Sequence, residues 1–187
     1  MIDLHLHTTA SDGRLTPSEL VDLAAGAGLS VVAATDHDTM ASVAELQRLA
    51  GARGFDAISG IEITAVDSGS DVHVLGYFAD PEDEALSEFL SRQRASRVAR
   101  VVAIADRLAS LGLPIDVESV LADARRLTGR SIGRPQVARA MVVAGHVLST
   151  REAFDRWLGH GLPGFIPREG TRSEEVIAVV HRAGGVA

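Results

Sequence analysis

The chain has no cysteine. Disulfides and thiolate zinc sites are therefore excluded, and any bound metal must rest on histidine, aspartate and glutamate. Aromatic residues are scarce at 4%, yet 46% of the 187 residues are apolar. That is enough to bury a core as one domain, or as one domain with a small appendage, and it argues against disorder. A surplus of positive charge is also missing. The formal net charge of −7 excludes broad, sequence-independent binding of duplex nucleic acid, while a short nucleotide held through a metal stays compatible with it. No apolar run approaches the length of a bilayer span, and Met1-Ile2-Asp3-Leu4-His5 lacks the basic and apolar regions of a signal peptide. A cytoplasmic setting with no membrane partner is the expectation.

What is present is a run of histidines and acids. The opening Asp3-Leu4-His5-Leu6-His7-Thr8-Thr9-Ala10-Ser11-Asp12-Gly13 is followed by Thr35-Asp36-His37-Asp38, then by Glu62 and His73. Side chains two apart in a strand share a face, so residues 2–7 as a strand project His5 and His7 together while Ile2, Leu4 and Leu6 pack behind. Two imidazoles are thereby offered to one metal. Thr16-Pro17-Ser18-Glu19 marks a helix start, with Thr16 as cap, Pro17 at the first helical position and Glu19 completing a capping box. Residues 30–35 form a continuous apolar run, suited to a strand buried on both faces, which delivers Asp36 and His37 at its end. A helix is expected over 41–53, and strands over 57–66 and 71–78 carry Glu62 and His73. This alternation implies a mainly parallel sheet or barrel.

From about residue 82 the texture turns helical, with one long helix fitting Glu84 to Leu111 and helices with loops beyond it. Arg92, Arg94, Arg97 and Arg100 form the densest positive patch, which reads first as a solvated helix face and alternatively as a device steering anions into a nearby site. Ile132-Gly133-Arg134-Pro135-Gln136 reads as a loop entering a helix. Arg134 beside that N-terminus would hold phosphate, although proline at a helix start is also ordinary architecture.

A lone histidine on an apolar strand is more often a packed, hydrogen-bonded residue than a ligand. Here His5, His7, Asp12, His37, Glu62 and His73 all fall at starts, ends or turns of successive expected strands, where a barrel-like sheet gathers functional side chains at one rim. Their convergence in a core without a cation would be costly, so a metal centre is expected. Imidazole and carboxylate without thiolate suit Mn, Fe or Zn better than Mg or Ca. The other histidines carry weaker signals. His146 and His181 sit at expected helix ends, where imidazole suits the helix dipole. His160, in Leu158-Gly159-His160-Gly161-Leu162, is the best of the three as a substrate contact, although a glycine-rich loop favours a plain surface role.

Together, Asp3 to Gly13, Thr35 to Asp38, Gly60-Ile61-Glu62 and His73 resemble the opening motifs of the polymerase and histidinol phosphatase superfamily, PHP. The middle of the chain, with Gly133-Arg134-Pro135, Phe154, Gly161 and Gly164, and the closing Ala183-Gly184-Gly185-Val186-Ala187 are similar to the branch containing nucleoside bisphosphate phosphatases and a related exoribonuclease. The resemblance implies an α/β fold, a distorted (β/α)7 TIM-like barrel with a helical insertion. Residues 1–81 would be the N-terminal part of the barrel, 82–165 the insertion covering the site, and 166–187 the return to the barrel. It implies a cluster of up to three divalent metals, manganese foremost and iron or zinc as alternatives. His5, His7, Asp12, His37, Glu62 and His73 would be ligands, with Glu62 bridging and Asp36 backing them without touching metal. Arg134, with an arginine of the long helix, would meet the substrate phosphate. The implied activity is metal-dependent hydrolysis, by activated water, of a phosphate monoester or terminal phosphodiester of a small nucleotide, such as a 3′,5′-bisphosphate or a short RNA. Another small phosphoester such as histidinol phosphate, or a non-catalytic metal-binding module, are the alternatives.

Two departures from the family pattern stand out. Gln136 falls close to a position where relatives usually carry histidine, so a substrate contact or proton donor is lost or supplied elsewhere. The family also continues past the Gly-Gly segment with a strand ending in histidine before proline and an Asp-x-His motif, whereas this sequence stops at Ala187. The expectation is an open barrel lacking its C-terminal strands, a fragment of a longer protein, ending in a buried apolar strand with an exposed sheet edge.

Overall fold

In the computed structural model, which describes residues 1–126 and 129–187, strand β1 (Ile2–Leu6) runs parallel to β2 (Val31–Ala34), and β2 runs parallel to the short β3 (Asp56–Ala57). Helices α1 (Pro17–Gly26) and α2 (Val43–Ala52) make the two crossovers. The expected capping box is present: the Glu19 amide donates to the Thr16 hydroxyl at 3.3 Å, and the Thr16 amide donates to the Glu19 carboxylate at 2.8 Å. Leu20, Val21 and Ala24 of α1 and Leu46 and Ala50 of α2 bury against Val32 and Ala34. As the unbroken apolar run implied, Val32, Ala33 and Ala34 are all buried. Ile2 departs from expectation; it is 62% exposed instead of packing behind the histidines.

The mainly parallel order expected for the strands holds only from β1 to β3. The run read as one strand over 57–66 is divided between β3 and β4 (Gly60–Asp67), and β4 turns back antiparallel into β5 (Ser70–Tyr77). Ser68 and Gly69, with φ of 51° and 77°, form a two-residue turn of the kind whose positive dihedrals match the twist of a tight hairpin. A hairpin needs no crossover helix, so parallel order stops there. The fold is mixed α/β, and among the described residues the strands do not close into a barrel. Beyond them, Val186 makes a single antiparallel bridge with Tyr77 and is 53% exposed, where a buried strand was expected.

The hairpin is seated on the end of β2. The Asp38 amide donates to the Glu62 carbonyl at 2.8 Å, and the Glu62 amide donates to the Asp36 carbonyl at 3.2 Å. This splice sets the residues just after β2 beside the middle of β4.

Helix α3 (Glu84–Ser110) joins two cores. Its first half packs Leu86, Phe89 and Leu90 against Ile61 and Ile63 of the hairpin and Val176 and Val180 of α7 (Ser173–Arg182). Its second half packs Val101, Ile104 and Leu108 against α4 (Val117–Arg126), α5 (Arg134–Val143) and the segment formed by α6 (Thr150–Ala153) and the π-helical turn Phe154–Leu158. Residues midway along α3 therefore lie between the sheets and the helical layer. Residues 127 and 128 of the stretch expected to be helical lie outside the described residues. No helix among the described residues is long and apolar enough to cross a membrane.

Candidate active site

Glu62, on β4, is the hub of a histidine cluster. Its Oε2 lies 2.9 Å from His5 Nε2 and 3.1 Å from His7 Nε2, and its Oε1 lies 3.7 Å from His37 Nδ1 and in close contact with His73 Nδ1. His5 projects from β1, His7 follows its end, His37 follows the end of β2, and His73 stands on β5 opposite Thr64. That register makes His73 a diagonal neighbour of Glu62 on one face of the hairpin. Asp12, in the loop after β1, approaches His7 Nδ1 at 3.6 Å and His37 Nε2 at 3.7 Å. The six residues thus form three overlapping triads, His5–His7–Glu62, His7–Asp12–His37 and His37–Glu62–His73, each offering ligand atoms within 4.8 Å of one another.

Burial alone would raise the pKa of the Glu62 carboxyl, but hydrogen bonds from His7, His73 and His5 hold it far below the usual carboxylate range. Burial, then the positive charge of Arg97, pushes His37 down to about 4 against the pull of Glu62 and Asp12. His37 is therefore a neutral imidazole at neutral pH, the form that binds metal. For His7, burial is outweighed by the Glu62 hydrogen bond and the charges of Asp12, Glu62 and Asp36, and the pKa rises. The Nδ1 atoms of His7 and His37 are buried without a hydrogen-bond partner. Orphaned buried nitrogens among carboxylates are what a divalent cation would satisfy, so the donor set fits such a metal.

Two buried acids flank His37. Asp36, read in the sequence as a backing group, accepts from the Thr8 amide at 2.8 Å and from the hydroxyls of Thr8, Ser11 and Ser42 at 2.7, 2.6 and 2.5 Å. It fastens the Thr8–Ser11 loop, between the ligand-type residues His7 and Asp12, to the end of β2. Asp38 has a positive φ of 52° and turns the other way. It accepts from the Thr64 amide at 3.0 Å and from Arg97 Nε, with Arg168 Nη1 3.7 Å away.

Beside the cluster opens a cleft of about 210 Å³, lined by Asp12, His37 and His73 and by Arg97, Arg100, Arg134 and Arg168. The helix-face reading of the arginine patch fails for most of it. Arg97 is only 8% exposed; Arg94 donates to the Asp38 carbonyl at 3.0 Å, and Arg100 to the Ile166 carbonyl at 2.9 Å. Spacing along α3 carries no hint of this, because the partners come from the segment after β2, from β4 and from the segment before α7. Burial, and then neighbouring Arg97, lowers Arg168 to about 10, which leaves it charged at neutral pH. Arg100 Nη2 and Arg168 Nε are buried with no hydrogen-bond partner, as is the hydroxyl of Ser131, which also lines the cleft. Buried, unsatisfied donors of this kind suit an anionic oxygen.

Arg134 lines the cleft, 3.5 Å from Asp71 and stacked near Phe154 and Phe165. His160 is exposed, its ring 5.0 Å from that of Phe165, and it does not line the cleft. Gln136 is buried, accepting from the Gly133 amide and donating to the Ser11 carbonyl at 3.0 Å. His146 contacts the Pro114 carbonyl at 2.6 Å, away from the cleft. Arg168, Asp38 and Asp71 were not singled out from sequence.

A mixed α/β protein with a histidine and carboxylate cluster on its strands and the loops that follow them, beside an arginine-lined cleft, defines a metal-site class. The PHP domain model matches residues 3–134, and the chain belongs to the PHP domain family. It is 36% identical over 185 residues to a 5′-3′ exoribonuclease of Haemophilus influenzae, covering 99% of this chain and 66% of that protein. It is 31% identical over 186 residues to a 3′,5′-nucleoside bisphosphate phosphatase of Chromobacterium violaceum, covering 100% and 65%. A crystal structure of a Bifidobacterium adolescentis protein assigned to the metal-dependent phosphoesterases superposes with a TM-score of 0.91 at 38% identity, over 99% of this chain and 64% of that one. The chain thus spans just under two thirds of the length of these relatives.

Proposed function

We propose that the chain carries the metal centre and phosphate cleft of a phosphoesterase acting on a small nucleotide, hydrolysing the phosphate monoester of a nucleoside 3′,5′-bisphosphate or the terminal phosphodiester of a short RNA. The observation that carries this reading is one cleft walled both by Asp12, His37 and His73 and by four arginines. His5, His7, Asp12, His37, Glu62 and His73 would hold the divalent metals, with manganese foremost and iron or zinc as alternatives. When bound, such cations polarise a phosphoryl group and acidify water, so no side-chain nucleophile is required. Arg97, Arg100 and Arg168 bind and neutralise phosphoryl oxygens, and Asp38 holds two of these guanidiniums in place. Arg134, with Phe154 beside it, orients the rest of the nucleotide. Asp36 keeps the Thr8–Ser11 loop closed on the ligands. In the same reading the two sheets are an arc of a distorted (β/α)7 barrel, and residues 82–165 form the insertion over it. Bacterial relatives named as an exoribonuclease and a bisphosphate phosphatase support the nucleotide class.

The test is elemental analysis after manganese loading and desalting, followed by a substrate panel of 3′,5′-bisphosphate, short RNA and histidinol phosphate. Two or more metals per chain with turnover of the nucleotides is the expected result. Preference for histidinol phosphate would assign a different phosphoester. Retained metal with no turnover would make this a binding module, and failure to retain metal would overturn the assignment of the site to this chain.

A further inference from the structure

The four arginines of the cleft meet their counter-ions in two unlike ways. Arg97 and Arg168 share Asp38, whose side chain is 0% exposed and also accepts from the Thr64 amide. That carboxylate is fixed in the floor of the cleft. Arg100 and Arg134 share Asp71, which lines the cleft itself, and a single oxygen serves both: Oδ2 lies 3.5 Å from Arg100 Nη1 and 3.5 Å from Arg134 Nη2. Close charge-assisted contacts between such groups are about 2.7–2.9 Å long, so neither arm is tightly bound. The Asp71 side chain is 23% exposed, and it stands on β5 just past the Ser68–Gly69 turn.

The two guanidiniums do not depend on Asp71 for their placement. Arg100 Nε donates to the Ile166 carbonyl at 2.9 Å, and Arg134 Nη1 donates to the Leu158 carbonyl at 3.3 Å. Both also lie against the ring of Phe165, 5.5 and 5.7 Å from its centroid. Arg100 Nη2 is buried with no hydrogen-bond partner, so the fork that Asp71 touches on one arm is empty on the other. A carboxylate at this distance leaves the fork unfilled, whereas a phosphoryl group brings three acceptor oxygens to it. Asp71 and His73 are two apart on β5 and share a face of the hairpin with Glu62 and Thr64. An anion that takes the place of Asp71 therefore stays beside the histidine cluster.

We infer that Asp71 is an exchangeable counter-ion: its Oδ2 holds the place of an anionic oxygen of the substrate between Arg100 and Arg134, yields when the phosphate enters, and returns as the phosphate product leaves. The inference rests on the phosphoesterase reading above and adds to it a residue that sets turnover. A carboxylate that competes for the same two guanidiniums keeps affinity for phosphate below what the arginines alone would give, so that product release does not stall the cycle. If Asp71 leaves the pair free in about one molecule in ten, the site binds about tenfold more weakly than an unopposed one.

The experiment is calorimetric titration of the metal-stripped, desalted full chain with inorganic phosphate, for the wild type, Asp71→Asn and Asp71→Ala. Both variants should bind phosphate about tenfold tighter than the wild type. Asp67→Asn is the control. It removes the same charge from the same hairpin, at a side chain that accepts from the Ser173 amide, and should change the affinity by less than about twofold. After manganese loading, Asp71→Asn should lower both KM and kcat for a nucleoside 3′,5′-bisphosphate, with phosphate becoming the stronger product inhibitor. Weaker phosphate binding by either Asp71 variant would show that the carboxylate aligns the arginines, and would overturn the exchange. Equal affinity in all four proteins, or an equal gain from Asp67→Asn, overturns it as well, while phosphate binding itself still upholds the cleft. If phosphate binds to none of the four, the exchange and the phosphoesterase reading fall together.

Discussion

Asp38 and Arg97 are joined across 59 residues of sequence, the Nε of Arg97 donating to the Oδ2 of Asp38, with side chains 9% and 0% exposed for arginine and aspartate. Arg97 Nη2 also donates to the Thr64 hydroxyl at 2.8 Å. The pair ties the segment after β2, the hairpin and the long helix at the floor of the cleft. Asp38→Asn tests its worth cleanly, because asparagine tolerates the left-handed φ of 52°. The variant keeps the backbone but leaves the charges of Arg97 and Arg168 without their carboxylate. Breaking a buried pair from one side costs about 3–5 kcal/mol, so urea unfolding should show a loss of that order. A loss under about 1 kcal/mol would mean that water or another acid compensates the guanidiniums.

The grouping of His5, His7 and His37 was legible because strand geometry is local, a period of two and placement at strand ends being enough to gather them, whereas Glu62 and His73 meet through the antiparallel register of the hairpin. Asp12 followed from its place in the loop. The antiparallel turn was also written in the chain, as Ser68-Gly69, but the surrounding alternation of strands and helices suggested parallel order. The arginine wall was legible only as the second of two readings. Arg94, Arg97 and Arg100 sit at helical spacing that is equally that of a solvated face, and what buries them comes from Asp38, Thr64 and Ile166. Contacts of that range leave no periodic trace. For the same reason nothing in the Gly-rich loop around His160 revealed that its ring would settle outward on Phe165.

Glu62 belongs to two of the three triads, and Asp12 to one. Glu62→Gln should therefore remove more retained manganese than Asp12→Asn, leaving His7–Asp12–His37 as the surviving group. Metal per chain by elemental analysis, after loading both variants under the same conditions, gives the comparison. Equal losses would show that the cluster binds as one cooperative unit and not as separable subsites.

Acid should weaken the metal-free chain through His37. Its folded pKa of about 4 lies below the unfolded value of 6.5, so between these pH values the unfolded state binds more protons and stability rises with pH. On acidification that contribution is lost from about 6.5 down to 4. His7 acts in the opposite sense. Its raised pKa gives stability that is complete below 6.5 and disappears as pH climbs through the folded value. In EDTA, thermal unfolding followed across pH 4–8 should show a descent below 6.5 that His37→Asn flattens. Titration of the imidazole protons by NMR should place His37 well below His7. A His37 titrating near 6.5 would refute the environment described for it.

Gly13 sits where the loop folds back onto the first histidine pair, and a Cβ there would lie 2.3 Å from the His7 carbonyl oxygen, 2.4 Å from its carbon and 2.7 Å from the Thr8 amide nitrogen. All three are backbone atoms, so the strain cannot be relieved by turning a side chain. Gly13→Ala must push His7 and Asp12 apart or unseat Thr8 from Asp36, and either shift spoils the His7–Asp12–His37 triad. The expected result is a stability loss of about 1–3 kcal/mol, typical of forced overpacking, together with loss of retained metal. Gly51→Ala, in α2 with open space around its Cβ position, is the control and should be neutral or stabilising by up to about 1 kcal/mol. If Gly13→Ala unfolds at the same urea concentration as Gly51→Ala and keeps its full metal complement, the close approach of this loop to His7 does not set the geometry of the site.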